Sequence, residues 1–197
     1  MSAALSPQSR EARLRFALPS DAESVLNIYA PFVRDTAVTF EYEVPSLSSY
    51  TERMERIMTV YPFILCEIGG RVAGYAYASR HRERAAYLWA VESSVYIDPA
   101  FQGKGLGKRL YGALFEVLRR QGFLLVYAVV TLPNLMSERL HASLGFSEIG
   151  VHRCAGYKLG SWHDVKWFEY FLSEPPSSPE SPLGFPEIRG SGFSFLP

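Results

Sequence analysis

The chain has 197 residues, 48% of them hydrophobic and 20% charged, a profile that suits one well-buried globular domain rather than two. Its 20 basic and 20 acidic residues cancel, which argues against nucleic acid as the main partner, because binding a phosphate backbone takes a basic excess. No apolar run reaches the length of a membrane span, the first 15 residues lack the apolar core of a secretion signal, and Cys66 and Cys154 without CxxC spacing favour neither a disulfide scaffold nor a zinc site, so the expectation is a cytoplasmic protein with no membrane contact and no metal.

Residues 1–12, rich in Ser, Ala, Arg and Glu, read as a tail, and residues 13–17 alternate like a short strand. Pro19, Ser20 and Asp21 supply helix-start chemistry ahead of an apolar face made by Val25, Leu26, Ile28, Tyr29 and Phe32. Pro45 and Ser46 open a second helix with Tyr50, Met54, Ile57 and Met58 on its apolar side. Two strand-like runs, residues 63–68 and 72–78, flank Gly69-Gly70, a strong two-residue hairpin signal. Residues 87–97 read as a third long strand, stopped by Asp98-Pro99.

The stretch Gln102-Gly103-Lys104-Gly105-Leu106-Gly107 follows that strand and enters a helix with Leu106, Leu110, Leu114, Val117 and Leu118 on one face. Three glycines permit a tight turn and leave backbone N–H groups bare of side chains. The first helical turn adds unpaired N–H donors and the positive end of the helix dipole. Together they make an anion pocket suited to a pyrophosphate, with Lys104, Lys108 and Arg109 adding positive charge. A Walker A loop is excluded, because Arg109 stands where a magnesium-binding hydroxyl belongs; the spacing also fails the dinucleotide fingerprint.

Residues 124–131 form a nearly unbroken apolar run, as expected of a strand buried on both faces. Pro133-Asn134 starts a helix through Leu144, with Asn134 suited to cap it and Gly145 closing it. Segments around Val151 and at residues 165–172 supply final strands; Phe168, Tyr170 and Phe171 among them are aromatics for either an interface or the protein's own sheet. The His163-Asp164 pair reads as part of a turn, because no nucleophile accompanies it. From Ser173 onward Ser, Pro and Glu dominate, and residues 173–197 are expected to be disordered. One α/β domain with a mixed sheet, residues 13–172, is the resulting expectation.

That element order and glycine loop resemble the GCN5-related N-acetyltransferase (GNAT) superfamily, whose acetyl-CoA signature Gln/Arg-x-x-Gly-x-Gly/Ala is met by Gln102, Gly105 and Gly107. Within it the chain is most similar to the branch of phosphinothricin and methionine sulfoximine or sulfone N-acetyltransferases, through residues 39–41, 89–96, 132–134, 139–146 and 155–165. The resemblance implies a twisted, mostly antiparallel mixed sheet flanked by about four helices, with a splayed V between two central strands. It implies acetyl-CoA as co-substrate, its pantetheine arm adding to the open edge at Ser94, Val95 and Tyr96, its pyrophosphate on Gln102, Gly103, Lys104, Gly105, Leu106, Gly107 and Lys108, and a further contact from Asn134.

Acetyl transfer to an amine needs the amine neutral, so a base must take its proton. Glu92 matches the branch's catalytic glutamate, and Trp89, Val91, Val95 and Ile97 along its strand suggest an apolar setting with a raised carboxylate pKa. His141 stands where most of the superfamily carries a tyrosine, and the resemblance gives it an acid, base or orienting role. Arg82 and Arg84, two apart, share a face if their segment is extended, and suit a carboxylate plus a second oxyanion, with Phe40 and Tyr87 as pocket walls. The implied activity is direct transfer to the amino group of a small amino acid analogue by a homodimer. A non-catalytic acetyl-CoA sensor, or an acetyltransferase for a peptide or polyamine, stands as the alternative.

Overall fold

A computed structural model gives the structure, which describes residues 11–195. Most of the expected tail at residues 1–12 lies outside them. Seven strands form one sheet: β1 (Arg13–Phe16), β2 (Phe63–Ile68), β3 (Arg71–Arg80), β4 (Ala90–Ile97), β5 (Leu125–Thr131), β6 (Ser147–Lys158) and β7 (Ser161–Phe171). Their order across the sheet is β1-β2-β3-β4-β5-β7-β6, and every neighbouring pair is antiparallel except β4 with β5. The helices are α1 (Ala22–Asp35), α2 (Leu47–Met58), α3 (Leu106–Gln121), α4 (Leu135–Leu144) and the short α5 (Phe185–Gly190).

Alternation along the strands builds a core on each face of the sheet. Phe63, Leu65 and Tyr75 point toward α1 and α2, where they meet Val25, Tyr29, Val33, Tyr50 and Met54. Ile64, Cys66, Ala76, Ala78 and Val91 point the other way, into a larger core under α3 with Leu110, Leu114, Val117 and Leu118. Helix boundaries follow local chemistry. Ser46 Oγ accepts from the Ser49 amide to start α2, and Gly122 at φ 91° closes α3. At the β2–β3 hairpin Gly69 and Gly70 both have positive φ, the geometry that a two-residue turn between right-twisted strands requires.

Three expectations need correction. Residues 87–89 are not strand: residues 85–87 form a 3-10 turn and β4 begins at Ala90. The strand β5 is not buried on both faces. Val126, Ala128 and Val130 are buried, whereas Val129 is exposed, because the strand's upper half has no sheet neighbour on the β4 side. His163 and Asp164 lie on β7 rather than in the turn before it, His163 Nε2 donating to Lys158 O and lying 3.2 Å from Ser161 Oγ while Asp164 accepts from the Cys154 amide.

The segment from Ser173 is a fourth and larger correction. It is a strap, not a loose tail. Phe185 and Ile188 of α5 are buried in the α3 core, and Phe185, Phe193 and Phe195 surround Phe16 of β1 with ring centroids at 4.9, 5.4 and 4.8 Å. The buried Gln121 amide donates to Val60 O and Leu183 O, and the Phe185 amide bonds Val60 O. Composition pointed to disorder because Ser, Pro and Glu dominate, yet two well-spaced apolar residues suffice to seat the strap on a waiting surface. Phe185→Ala is expected to cost about 3–5 kcal/mol of folding stability, read as a lower midpoint in chemical denaturation. An unchanged midpoint would mean that the strap is not part of the folded core.

Candidate active site

The parallel pair β4–β5 is hydrogen-bonded in register over only four residues, Ala90 with Leu125 through Ser93 with Ala128. Beyond Ser93, β4 continues to Ile97 held only by β3, and beyond Ala128, β5 continues to Thr131 held only by β7. The strands therefore part into the expected V, with unpaired backbone groups along both inner edges. Just inside it lies a small cavity of about 70 Å³ lined by Ser93, Ser94, Val95, Tyr111, Val129, Asn134 and His141, among others.

Outward from the V runs an apolar cleft of about 460 Å³, reaching the start of α3. It gathers Val95, Tyr96, Gln102, Gly103, Gly105, Leu106, Gly107, Lys108 and Asn134, nearly all of the residues expected to hold a cofactor. Gly103 and Gly105 sit at φ 74° and 75°, so side chains there would be strained. Gly107 has a different reason: a Cβ would come within 2.9 Å of Leu140, so its absence lets α4 close on α3. The Arg109 amide is the first in α3 to find its partner at Gly105 O, which leaves the earlier amides facing the cleft mouth. Lys104 is placed apart from the cleft lining, its ammonium 4.9 Å from the Phe101 ring centroid. Ser94 lines the inner cavity instead. Asn134 does cap α4, its Oδ1 accepting from the Ser137 amide at 3.1 Å, and it also borders both cavities. Arg139 and Ser143, on α4 across from the glycine loop, complete the cleft; nothing in their spacing marked them.

Glu92 and His141 approach the V from opposite faces of the sheet. Val91, Val95 and Ile97 pack toward α3, while Tyr96, in phase with Glu92, packs toward α1 and α2. The apolar residues next to Glu92 in sequence thus point away from it, and the apolar setting expected from them is not what the carboxylate meets. It meets an imidazole: His81 Nδ1 lies 2.9 Å from Glu92 Oε1. His81 in turn stacks on Tyr127 with centroids 4.3 Å apart and presents its ring to Trp167 and Tyr87.

On the other face His141 is 3% exposed. Its Nδ1 is 2.7 Å from Ser137 O, an acceptor only, so Nδ1 carries the proton and donates. Nε2 is then an acceptor, and the Tyr111 hydroxyl, 2.9 Å away, donates to it. Tyr111 also lies 3.2 Å from Ser93 Oγ, which donates to Tyr127 O. Burial pushes the imidazole below its ordinary value of 6.5, offset in part by the bond to Ser137 O, and burial raises the Tyr111 phenol. His141 is thus a neutral imidazole whose lone pair is already taken by Tyr111. The hydroxyl at the floor of the V is that of Tyr111, a residue the sequence reading did not single out.

The substrate-side residues are partly brought together. Arg82 lines a cleft of about 410 Å³ with His81, Tyr127, Val151, His152, Trp167 and Glu169, and its guanidinium lies 5.7 Å from the Tyr87 ring centroid. Arg84 does not join it. The segment after β3 turns at residues 81–84 and enters the 3-10 turn, so the two arginines do not share a strand face, and Arg84 is exposed. Phe40 lies elsewhere, against Gly156, where a Cβ would collide with its ring, and 6.4 Å from the His163 ring. Buried Lys158 secures that loop by donating to Thr39 O at 2.6 Å. Among the described residues no cluster of three metal-ligating side chains occurs, and no helix is long and apolar enough to cross a membrane.

Comparison with known proteins agrees with this fold. Residues 14–167 match the family model described as Acetyltransferase (GNAT) domain. The phosphinothricin N-acetyltransferase of Streptomyces viridochromogenes is 39% identical over 180 residues, covering 91% of this chain and 98% of that one. The L-methionine sulfoximine/L-methionine sulfone acetyltransferase of Salmonella typhimurium is 34% identical, covering 82% and 95%. A GNAT superfamily phosphinothricin acetyltransferase from Sinorhizobium meliloti, solved in complex with acetyl-CoA, superposes with a TM-score of 0.80 at 34% identity, covering 85% of this chain and 95% of that one.

The neutral His141 carries a pH signature. Below its ordinary 6.5 the unfolded chain binds a proton there that the folded chain does not, so this residue's share of stability is present above that pH and lost as pH falls. Wild type is expected to lose more stability than His141→Gln between pH 7 and 5.5, by at most about 1.4 kcal/mol per pH unit. Denaturation series on both proteins check it, and nitrogen-detected NMR should find the Nδ1–H tautomer at neutral pH.

Proposed function

We propose that this chain, which belongs to the GNAT acetyltransferase family, uses acetyl-CoA to acetylate the amino group of a small amino acid analogue of the phosphinothricin, methionine sulfoximine or methionine sulfone type. The observation that carries the reading is the V itself: an opened parallel pair leads from a glycine-lined anion pocket at α3 to the cavity at Tyr111 and His141, one residue along β4 from Glu92 at Ser93. The residues present fit acetyl-CoA, since the bare α3 amides and Lys108 suit its pyrophosphate, and the unpaired edge of β4 at Ser94, Val95 and Tyr96 suits the amides of its pantetheine arm. When bound, acetyl-CoA supplies an activated acyl carbon and a thiol leaving group.

The chain's own residues do the rest. Glu92 takes a proton from the substrate ammonium and exposes the lone pair that attacks. The Tyr111 hydroxyl, held on His141 Nε2, would supply a proton to the sulfur by turning that O–H from the imidazole to the leaving thiolate, with His141 left as the group that receives it again afterwards. In this arrangement His141 orients, rather than serving itself as acid or base. Arg82 stands in the aromatic cleft beside His81, where a substrate carboxylate or second oxyanion finds a cation. The departure of Arg84 and Phe40 from that cleft reduces the expected pair of guanidiniums to one. A sensor would need neither Glu92 paired to His81 nor the Tyr111–His141 chain.

A homodimer in the cytoplasm completes the reading, but the surface that supports it differs from the expected one. Phe168 is in the core and Tyr170 stacks on Phe115 at 4.5 Å, so only Phe171 of the three is exposed. The outermost strand β6 instead displays Ile149, Val151 and Tyr157, with Leu159 and Trp162 at its turn. Light scattering on the purified chain should return twice the monomer mass.

Glu92→Gln is expected to lower kcat about 10²- to 10⁴-fold while acetyl-CoA still binds, measured as thiol release with phosphinothricin, methionine sulfone and a panel of ordinary amino acids. Turnover left intact with every amine would remove Glu92 from the role of base.

A further inference from the structure

His81 was only one polar residue among several in the sequence of its loop. In the structure its side chain is 7% exposed, sandwiched against Tyr127 and contacted edge-on by Trp167 and Tyr87, with Nδ1 on Glu92 Oε1. Three aromatic walls give the ring little freedom, so the direction of its hydrogen bond to the carboxylate is fixed by packing. An ionised carboxylate only accepts, and therefore Nδ1 is the nitrogen that carries a proton while Glu92 is charged. No other hydrogen bond reaches Glu92 among the described residues.

Resting on the acetyltransfer reading, we propose that His81 is a positioning residue that makes the base a two-residue unit: the imidazole holds Oε1, and Oε2 is the oxygen that accepts the proton of the substrate ammonium. The proton balance is simple. The N–H bond of the ammonium breaks, an O–H bond forms at Oε2, the lone pair stays on nitrogen, and the Nδ1 proton of His81 remains where it is. The carboxyl later returns its proton to solvent, through the cleft that His81 itself lines.

Other groups around the ring are Tyr127 on β5, Tyr87 in the 3-10 turn, Glu169 on β7 and His152 on β6, with Arg82 next in the chain and Arg80 paired to Glu83. They stay unchanged when His81 alone is replaced, so the difference between variants isolates the pair.

Two variants separate positioning from packing. His81→Phe keeps a ring against Tyr127 and removes the donor; His81→Gln keeps an N–H donor and removes the ring. With an amine that wild type turns over, kcat of His81→Phe should fall roughly tenfold or more, with the KM for acetyl-CoA unchanged. His81→Gln, which restores an N–H donor to the carboxylate, should recover most of that loss. A His81→Phe enzyme within twofold of wild type, or a His81→Gln enzyme no more active than His81→Phe, overturns the paired base and leaves acetyl transfer standing. Absence of wild-type turnover with every amine overturns both.

Discussion

The site depends on a pairing that stops. Two parallel strands at the centre of the sheet share four residues of register and then separate, each still held by its antiparallel neighbour on the far side. Unpaired backbone groups inside a fold normally cost more than a domain can tolerate. Here they are tolerated because the gap opens to a cleft, and because β3 and β7 hold the two strands where they are. A ligand that carries amides of its own can complete the interrupted ladder. The glycine loop, the α3 amides and the small cavity at Ser93 are arranged along that single opening.

The sheet also divides the chemistry. Side chains alternate, so adjacent residues on β4 serve opposite faces: Glu92 reaches His81 and the aromatic cleft, and Ser93 reaches Tyr111 and His141. One histidine is stripped of water and fixed in one tautomer by a carbonyl and a phenol. The other is set against a carboxylate. The carboxylate–imidazole pair and the phenol–imidazole pair thus lie on the two sides of one strand.

Much of this was legible in the chain because it is local chemistry. The Gly69-Gly70 hairpin, the Ser46 cap, the apolar face of α3 and the glycine loop are each set by residues within one or two turns of each other. What escaped depends on partners far away in sequence. Nothing near His81 announces Glu92, and Tyr111 looks like another core residue until α4 brings His141 to it. The same holds for Arg84, whose direction is decided by a 3-10 turn that replaced the first residues of the expected strand. Phe185 and Ile188 were overlooked for the opposite reason, because polar surroundings hid two residues that a distant strand required.

The strap that covers Phe16 sets the order in which the molecule can be completed during synthesis. β1 leaves the ribosome first, yet the aromatic rings that cover it are encoded some 170 to 180 positions later. At roughly 5–20 residues per second, the nascent sheet carries an uncovered phenylalanine at its edge for many seconds. That strand stays without its aromatic cover until the last segment of the fold has been made.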